Sequence, residues 1–257
     1  MRQNESKPHW PAQWIRPDWP APARVKAFIT TRHAGASLGP YSSFNLALHC
    51  GDDSAKVLQN RATLRQFLPQ EPFWLHQIHG TDVVSADQPA SLEQAQADAC
   101  IAQLPHHVCP IMVADCLPIL LACESGQRVA AVHAGWRGLA AGIIEKTVLT
   151  LSLQGSAPER LMAYIGPGIG ASAFEVGEEV YDTFLRQNPH NRSAFIRSPL
   201  QRWHADLHAL ALVALKSAGV HKVYGQPVCT YSDPERFYSY RRDRITGRMA
   251  AFIWLDS

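Results

Sequence analysis

The sequence lacks most of the features that assign a chain to a class at once. No run of eighteen apolar residues is present, so no membrane-spanning helix is expected. The N-terminal stretch MRQNESKPHWPAQWIRPDWPAPARV has no apolar core region, so it is not expected to be a signal peptide. There is no block of like charges, and the formal net charge is only +2, with no clustered basic footprint for nucleic acid. The six cysteines, at 50, 100, 109, 116, 123 and 229, form no Cys-x-x-Cys pair. With no secretion signal, they read as reduced thiols in a cytoplasmic protein. Also missing are an HExxH motif, a GxGxxG fingerprint, a P-loop Gly-Lys-Ser/Thr and the paired His-x-His motifs of multicopper sites.

The 257 residues are 46% hydrophobic, enough for one large core or at most two small ones. Residues 1–24 hold five prolines and read as an irregular leader; 25–257 read as a single domain. VKAFITTR (25–32) has the β-branched content of a strand. Residues 54–68 carry helical apolar spacing, with Ser54 expected as the N-cap. FWLHQIHGTDVVSA suggests two short strands about Gly80. VCPIMVADCLPILLAC and RVAAVHAG, separated by ESGQ, suggest a buried hairpin. Helices are expected over GLAAGIIEKTVLTLSLQ, over EVGEEVYDTFLRQ with Val176, Val180 and Phe184 on one face, and over LHALALVALKSAG, stopped by Gly219. The alternation predicts one mixed α/β domain with buried strands flanked by helices.

The chemistry-bearing residues stand at the ends of these runs. Cys116 follows Asp115, a carboxylate that needs partners if buried. Pro118 then limits ladder donation, so a strand ends or bulges there. His133 ends the next run, and pairing 123 with 126 across ESGQ would put it opposite Cys116. A thiol beside an imidazole serves either as an activated nucleophile or as two zinc ligands. HQIHG supplies His76 and His79, either of which would complete a three-ligand site with one open position. HAGWRG forms a glycine-rich strand-to-helix turn whose free N–H groups and Arg137 suit an anion. IGPGIG is a further glycine-rich break. RFYSYRRDRITGRM (236–249) reads either as a charged hairpin or as a nucleoside surface. In the second reading Phe237, Tyr238 or Tyr240 stacks on a base and Arg241 or Arg242 meets a phosphate. WHADLH spaces His204 and His208 by four without the Glu of a metalloprotease and reads as structural.

Six blocks in order, FNLALHCGDD, HQIHGTDV, ADCLPILL, AVHAGWRGLAAGI, IGPGIGASAFEVGEEV and CTYSDPERFYSYRRDRITGRMAAFIWL, resemble the laccase-domain family. Its members have been called polyphenol oxidases, peptidoglycan editing factors and purine nucleoside phosphorylases. The resemblance runs from about residue 25 to the C-terminus. It implies a β-sandwich-like centre flanked by helices, and a zinc site of His79, Cys116 and His133. It further implies substrate contacts from Asn45, Arg61 and Arg241. Together with the residue reading above, Cys116, His133 and Arg137 are expected in the reacting centre. The implied activity is phosphorolysis of adenosine, inosine and methylthioadenosine, with inorganic phosphate as co-substrate and adenosine deamination as a side activity. Two rivals follow: a cysteine hydrolase editing peptidoglycan precursors, with Cys116 as nucleophile and His133 as base, and a copper-dependent polyphenol oxidase. A Cys/His₂ site also takes copper in vitro. No nucleic-acid or membrane partner is expected, and both monomer and dimer fit the sequence.

Overall fold

The computed structural model describes residues 10–88 and 95–257. Twelve strands occur among them: β1 Val25–Ile29, β2 Val83–Ser85, β3 Ala99–Ala102, β4 Cys109–Val113, β5 Leu117–Cys123, β6 Val129–Ala134, β7 Leu161–Ile165, β8 Glu175–Val176, β9 Phe195–Arg197, β10 Trp203–Ala205, β11 Lys222–Tyr224 and β12 Met249–Leu255. The α-helices are α1 Ser54–Arg65, α2 Trp136–Ala141, α3 Ile143–Leu153, α4 Glu178–Gln187, α5 Leu207–Ser217 and α6 Tyr240–Asp243. The strands form a six-stranded mixed sheet in the order β11-β7-β5-β6-β3-β2, a three-stranded sheet β1-β12-β4 and a small sheet β8-β10-β9.

Residue parity along the strands explains the layering. In β5, Ile119 and Leu121 join Val132, Leu139, Ile143 and Leu210 in one core, under α2, α3 and α5. The alternate residues Leu120 and Ala122 face the other way, against Ile111, Ala251 and Ile253 of the three-stranded sheet. The even-numbered residues of β12, Ala250, Phe252 and Trp254, then point into a third core with Phe28, Phe44 and Leu64 of α1. A strand buried on both faces has no room for polar alternation, hence the near-continuous apolar runs. The result is a mixed α/β domain with two sheets packed face to face between helical layers, as expected from the sequence.

Local expectations differ in several places. Asp53, not Ser54, caps α1, accepting a hydrogen bond from the Ala55 N–H at 2.9 Å. The apolar run 108–123 is not one strand: β4 belongs to the three-stranded sheet and β5 to the six-stranded one, with Ala114, Asp115 and Cys116 crossing between them. The ESGQ hairpin forms, but Pro118 rather than Cys116 lies opposite His133. Only β2 forms after Gly80, while His76 makes an isolated bridge to Gln96. Gly142, at φ +90, splits the expected long helix into α2 and α3. Val176 sits in β8, so α4 buries Val180 and Phe184 without it. The segment 236–249 is no hairpin: it buries Phe237 and Tyr238 completely and then turns through α6. Trp14 stacks on Phe28 at 4.7 Å and Ile15 bridges Ile29, so this part of the proline-rich segment is packed into the domain. No helix among the described residues is long and apolar enough to cross a membrane.

Candidate metal centre and arginine-lined cavity

Three segments converge where β5 and β6 end. Cys116 immediately precedes β5, His133 is the penultimate residue of β6, and His79 lies on the loop before β2. Their ligand atoms all lie within 4.8 Å of one another, with Cys116 Sγ 3.8 Å from His79 Nε2. His76 is outside the group. Ligands on a tetrahedral zinc stand roughly 3.4–3.6 Å apart for Zn–N and Zn–S bonds of about 2.0–2.3 Å, so the group needs only modest closure to hold one.

The surroundings favour a thiolate. Burial raises the Cys116 thiol, but the charge of His133 and hydrogen bonding to both imidazoles outweigh it and bring the pKa down to about 6. For His133, burial works against the proton, yet the Cys116 charge and Asp98 raise its pKa to about 9. Both shifts favour a thiolate beside an imidazolium when no metal is bound; a divalent cation would take the place of the proton.

Asp98, just before β3, was not singled out by the sequence. It is fully buried and accepts hydrogen bonds from the N–H groups of Ile78, His79 and Gly80 at 3.1, 2.9 and 2.7 Å. Its Oδ1 also lies 2.7 Å from His133 Nδ1. Burial alone would raise the carboxyl, but the hydrogen bond and charge of His133 and the loop N–H groups hold it below the usual range.

The glycines of HAGWRG serve close packing. A Cβ on Gly135 would lie 2.9 Å from Cys116 Sγ and 2.9 Å from His79 Cδ2, and one on Gly138 would lie 2.9 Å from the Gly80 carbonyl oxygen. The helix that follows, α2, has only six residues, so the turn's anion-binding capacity rests on Arg137. In IGPGIG, Gly166 and Gly168 make room for Pro118, Ile29 and Leu117 in the same way.

The group opens into a cavity of about 590 Å³ whose lining includes Arg137, Arg241, Arg244 and Arg248, with Trp136, Phe174 and Tyr240 as aromatic walls. The acidic residue in that lining, Asp115, is already engaged, by Thr230 Oγ1 and the Arg241 N–H, both at 2.7 Å. Arg241, in the lining, itself donates to the Glu175 carbonyl at 2.8 Å, which restrains its guanidinium. Arg137 lies over Trp136 at 4.5 Å.

Other expected residues fall elsewhere. Asn45 is buried outside the lining; its Oδ1 accepts from the Arg248 N–H at 2.9 Å, so it reaches the cavity only through Arg248. Arg61 packs over Trp74 at 3.8 Å and donates to the Leu46 carbonyl, and burial lowers its pKa to about 10. Phe237 and Tyr238 are too buried to stack on a ligand, leaving Tyr240 from that trio. Arg242 is occupied with the carbonyls of Thr230, Tyr231 and Phe237. His204 sits 3.1 Å from the Ala171 carbonyl, and neither it nor His208 lines the cavity. Sequence reasoning marked the segments that carry His49, Gln77, Arg244 and Arg248 but did not single out these four residues, because nothing in the spacing says which side chains of an irregular segment turn to the cavity.

Residues 26–256 match the model of the family described as multi-copper polyphenol oxidoreductase laccase. The chain belongs to this family. It is 49% identical over 244 residues to a purine nucleoside phosphorylase of Pseudomonas aeruginosa, covering 95% of this chain and 98% of that protein. It is 46% identical over 244 residues to the Escherichia coli purine nucleoside phosphorylase YfiH, covering 94% and 98%. Among solved structures, a Neisseria meningitidis protein superposes with a TM-score of 0.90 at 45% identity, over 95% of this chain and 100% of that one. YlmD from Geobacillus stearothermophilus gives 0.88 at 32% identity, over 95% and 96%. The family's description and its relatives' names thus point to different chemistries. Among the described residues of this chain, one group of three metal-capable side chains is present.

Proposed function

We propose that this chain is a zinc-dependent purine nucleoside phosphorylase acting on adenosine, inosine and methylthioadenosine. The observation that carries the reading is that His79, Cys116 and His133 face the same cavity as four arginines and three aromatic rings. The names of the P. aeruginosa and E. coli relatives support the reaction class.

In phosphorolysis a phosphate oxygen bonds to C1′ as the C1′–N bond breaks, and the purine leaves with the bonding pair. Positive charge grows on the sugar and negative charge on the base. Arg137 and Arg241 hold the phosphate dianion by charge-assisted hydrogen bonds. Asp115 holds the backbone of Arg241 and the Glu175 carbonyl holds its guanidinium, so the side chain is positioned before phosphate arrives. Tyr240 and Phe174 offer stacking faces for the base. His79, Cys116 and His133 would hold the zinc, which when bound supplies a Lewis acid or an activated water. The second of these roles is what adenosine deamination would need at C6.

The cysteine-hydrolase reading is favoured by one observation, the lowered Cys116 thiol beside His133. The two readings separate on metal. Phosphate-dependent release of adenine from adenosine is expected from the protein as purified, lost after chelation, restored by zinc, and absent in Cys116→Ala and His79→Ala. Hydrolysis of a peptidoglycan precursor that survives chelation but needs Cys116 would favour the hydrolase. No adenine release under any condition would sink the phosphorylase.

A further inference from the structure

We infer that Asp98 is the positioning residue of the metal centre, a single carboxylate that sets both imidazole ligands. The inference rests on the reading of His79, Cys116 and His133 as ligands. Its action on His133 is direct. The 2.7 Å contact to Nδ1 commits that nitrogen as a donor and leaves the Nε2 lone pair for the cation. The Asp98 carbonyl also accepts the His133 N–H at 2.7 Å, so main chain and side chain fix the same histidine.

Its action on His79 runs through the backbone. His79 adopts φ +60, a left-handed conformation that is costly for a residue with a Cβ. The N–H groups of residues 78, 79 and 80 all converge on the Asp98 carboxylate. A row of N–H groups wrapped around an anion is a nest, and here the anion is built in. The carboxylate thus holds the turn that points the His79 ring at Cys116.

Charge gives a third argument. Asp98 is buried, and among the described residues it has no Lys or Arg within salt-bridge distance; its ionic partner is His133. A divalent cation with one thiolate, one nearby carboxylate and two neutral imidazoles sums to zero. An amide at 98 would remove that compensating charge, and its NH₂ group would face N–H donors whichever oxygen it replaced.

The test uses the full chain, stripped of metal, as wild type and as Asp98→Asn. Zinc affinity is measured by competition with a chromophoric chelator, and folding by circular dichroism. Loss of a nearby carboxylate partner typically weakens metal binding by about 10- to 100-fold, and that loss is expected here with the secondary structure retained. Equal zinc affinity in the two proteins would overturn the proposal while leaving the ligand assignment standing. A wild type that binds no zinc would overturn the assignment and the proposal together. Because the variant can fail to fold, nitrogen-15 spectra of the wild-type imidazoles give an independent reading. His133 is expected to be protonated at Nδ1 and zinc-perturbed at Nε2; zinc on Nδ1 would overturn the inference whatever the variant does.

Discussion

Gly135→Ala tests how tightly the centre is built. Gly135 has φ −70 and ψ 157, ordinary extended angles, so alanine costs nothing in backbone conformation. The whole effect is steric. The new Cβ would sit 2.9 Å from Cys116 Sγ and from His79 Cδ2. Normal contacts for these pairs are about 3.5–4.0 Å, so one or both ligands must retreat by several tenths of an ångström. Metal–ligand distances tolerate about 0.2 Å, and the new methyl group pushes on two ligands that must draw together to bind a metal, so it opposes that closure. Overpacking of this kind typically costs about 1–3 kcal/mol. At about 2–4 °C per kcal/mol for a chain approaching this size, Tm should fall by roughly 2–12 °C. The assays are a melting curve of the stripped protein and a zinc titration against a chelator. Zinc binding should weaken at least tenfold, and the melting rise on adding zinc should shrink. Wild-type zinc affinity in this variant would refute the reasoning, because it would mean that the ligand atoms either are not where the metal binds or move freely.

Arg137→Ala should lower kcat/KM for phosphate by about 10- to 100-fold, the loss of one or two charge-assisted hydrogen bonds, while zinc content stays at the wild-type level by metal analysis. Asp206 caps α5 by accepting from the Ala209 N–H at 3.0 Å; Asp206→Ala should cost about 1 kcal/mol in a urea titration, with adenine release unchanged. His208 has its pKa lowered from 6.5, burial being the main cause and the Asp206 charge opposing it. The unfolded chain therefore binds the proton more readily, and stability contributed by neutral His208 is present above about 6.5 and is lost as pH falls below it. The slope of stability against pH in that window should flatten in His208→Gln.

Much of the architecture could be read from apolar runs, because β5, β6 and β12 are buried along their whole length. Turn geometry was harder. The hairpin pairs Cys123 N–H with the Arg128 carbonyl, so all four residues of ESGQ lie in the loop and the register moves by two from the one expected. Cys116 still reaches the metal group, since it lies just outside the ladder, against Gly135. The choice of His79 over His76 came only with the family resemblance. The backbone supplies the physical reason: His76 is tied to Gln96 as an isolated bridge, and His79, at φ +60, brings its Nε2 to 3.8 Å from Cys116 Sγ. Asp98 escaped because nothing in QADAC marks it; its partners arrive from Ile78, His79, Gly80 and His133, and only the folded chain assembles them.

The same burial explains why a thiol and an imidazole stand at the ends of apolar strands. Leu117–Cys123 and Val129–Ala134 are covered on one side by helices and on the other by the second sheet. A polar side chain in the middle of either strand would face a packed layer whichever way it pointed, and would lose its hydration without a partner. At the end of the β5–β6 ladder the cavity opens, and there the buried polar groups find defined partners: His133 with Asp98, and Asp115 with Thr230 and the Arg241 N–H. Asp115 pays for this position with φ +87, a left-handed conformation unusual for a residue with a Cβ. The crossing from the three-stranded sheet to the six-stranded one therefore does two jobs in three residues. It turns the chain between layers, and it delivers a ligand at Cys116 beside a carboxylate that anchors Arg241. Moving Cys116 one place into β5 would turn its thiol to the opposite face of the strand and into the packed core. The chemistry of this fold is confined to strand ends by the same packing that makes the strands stable.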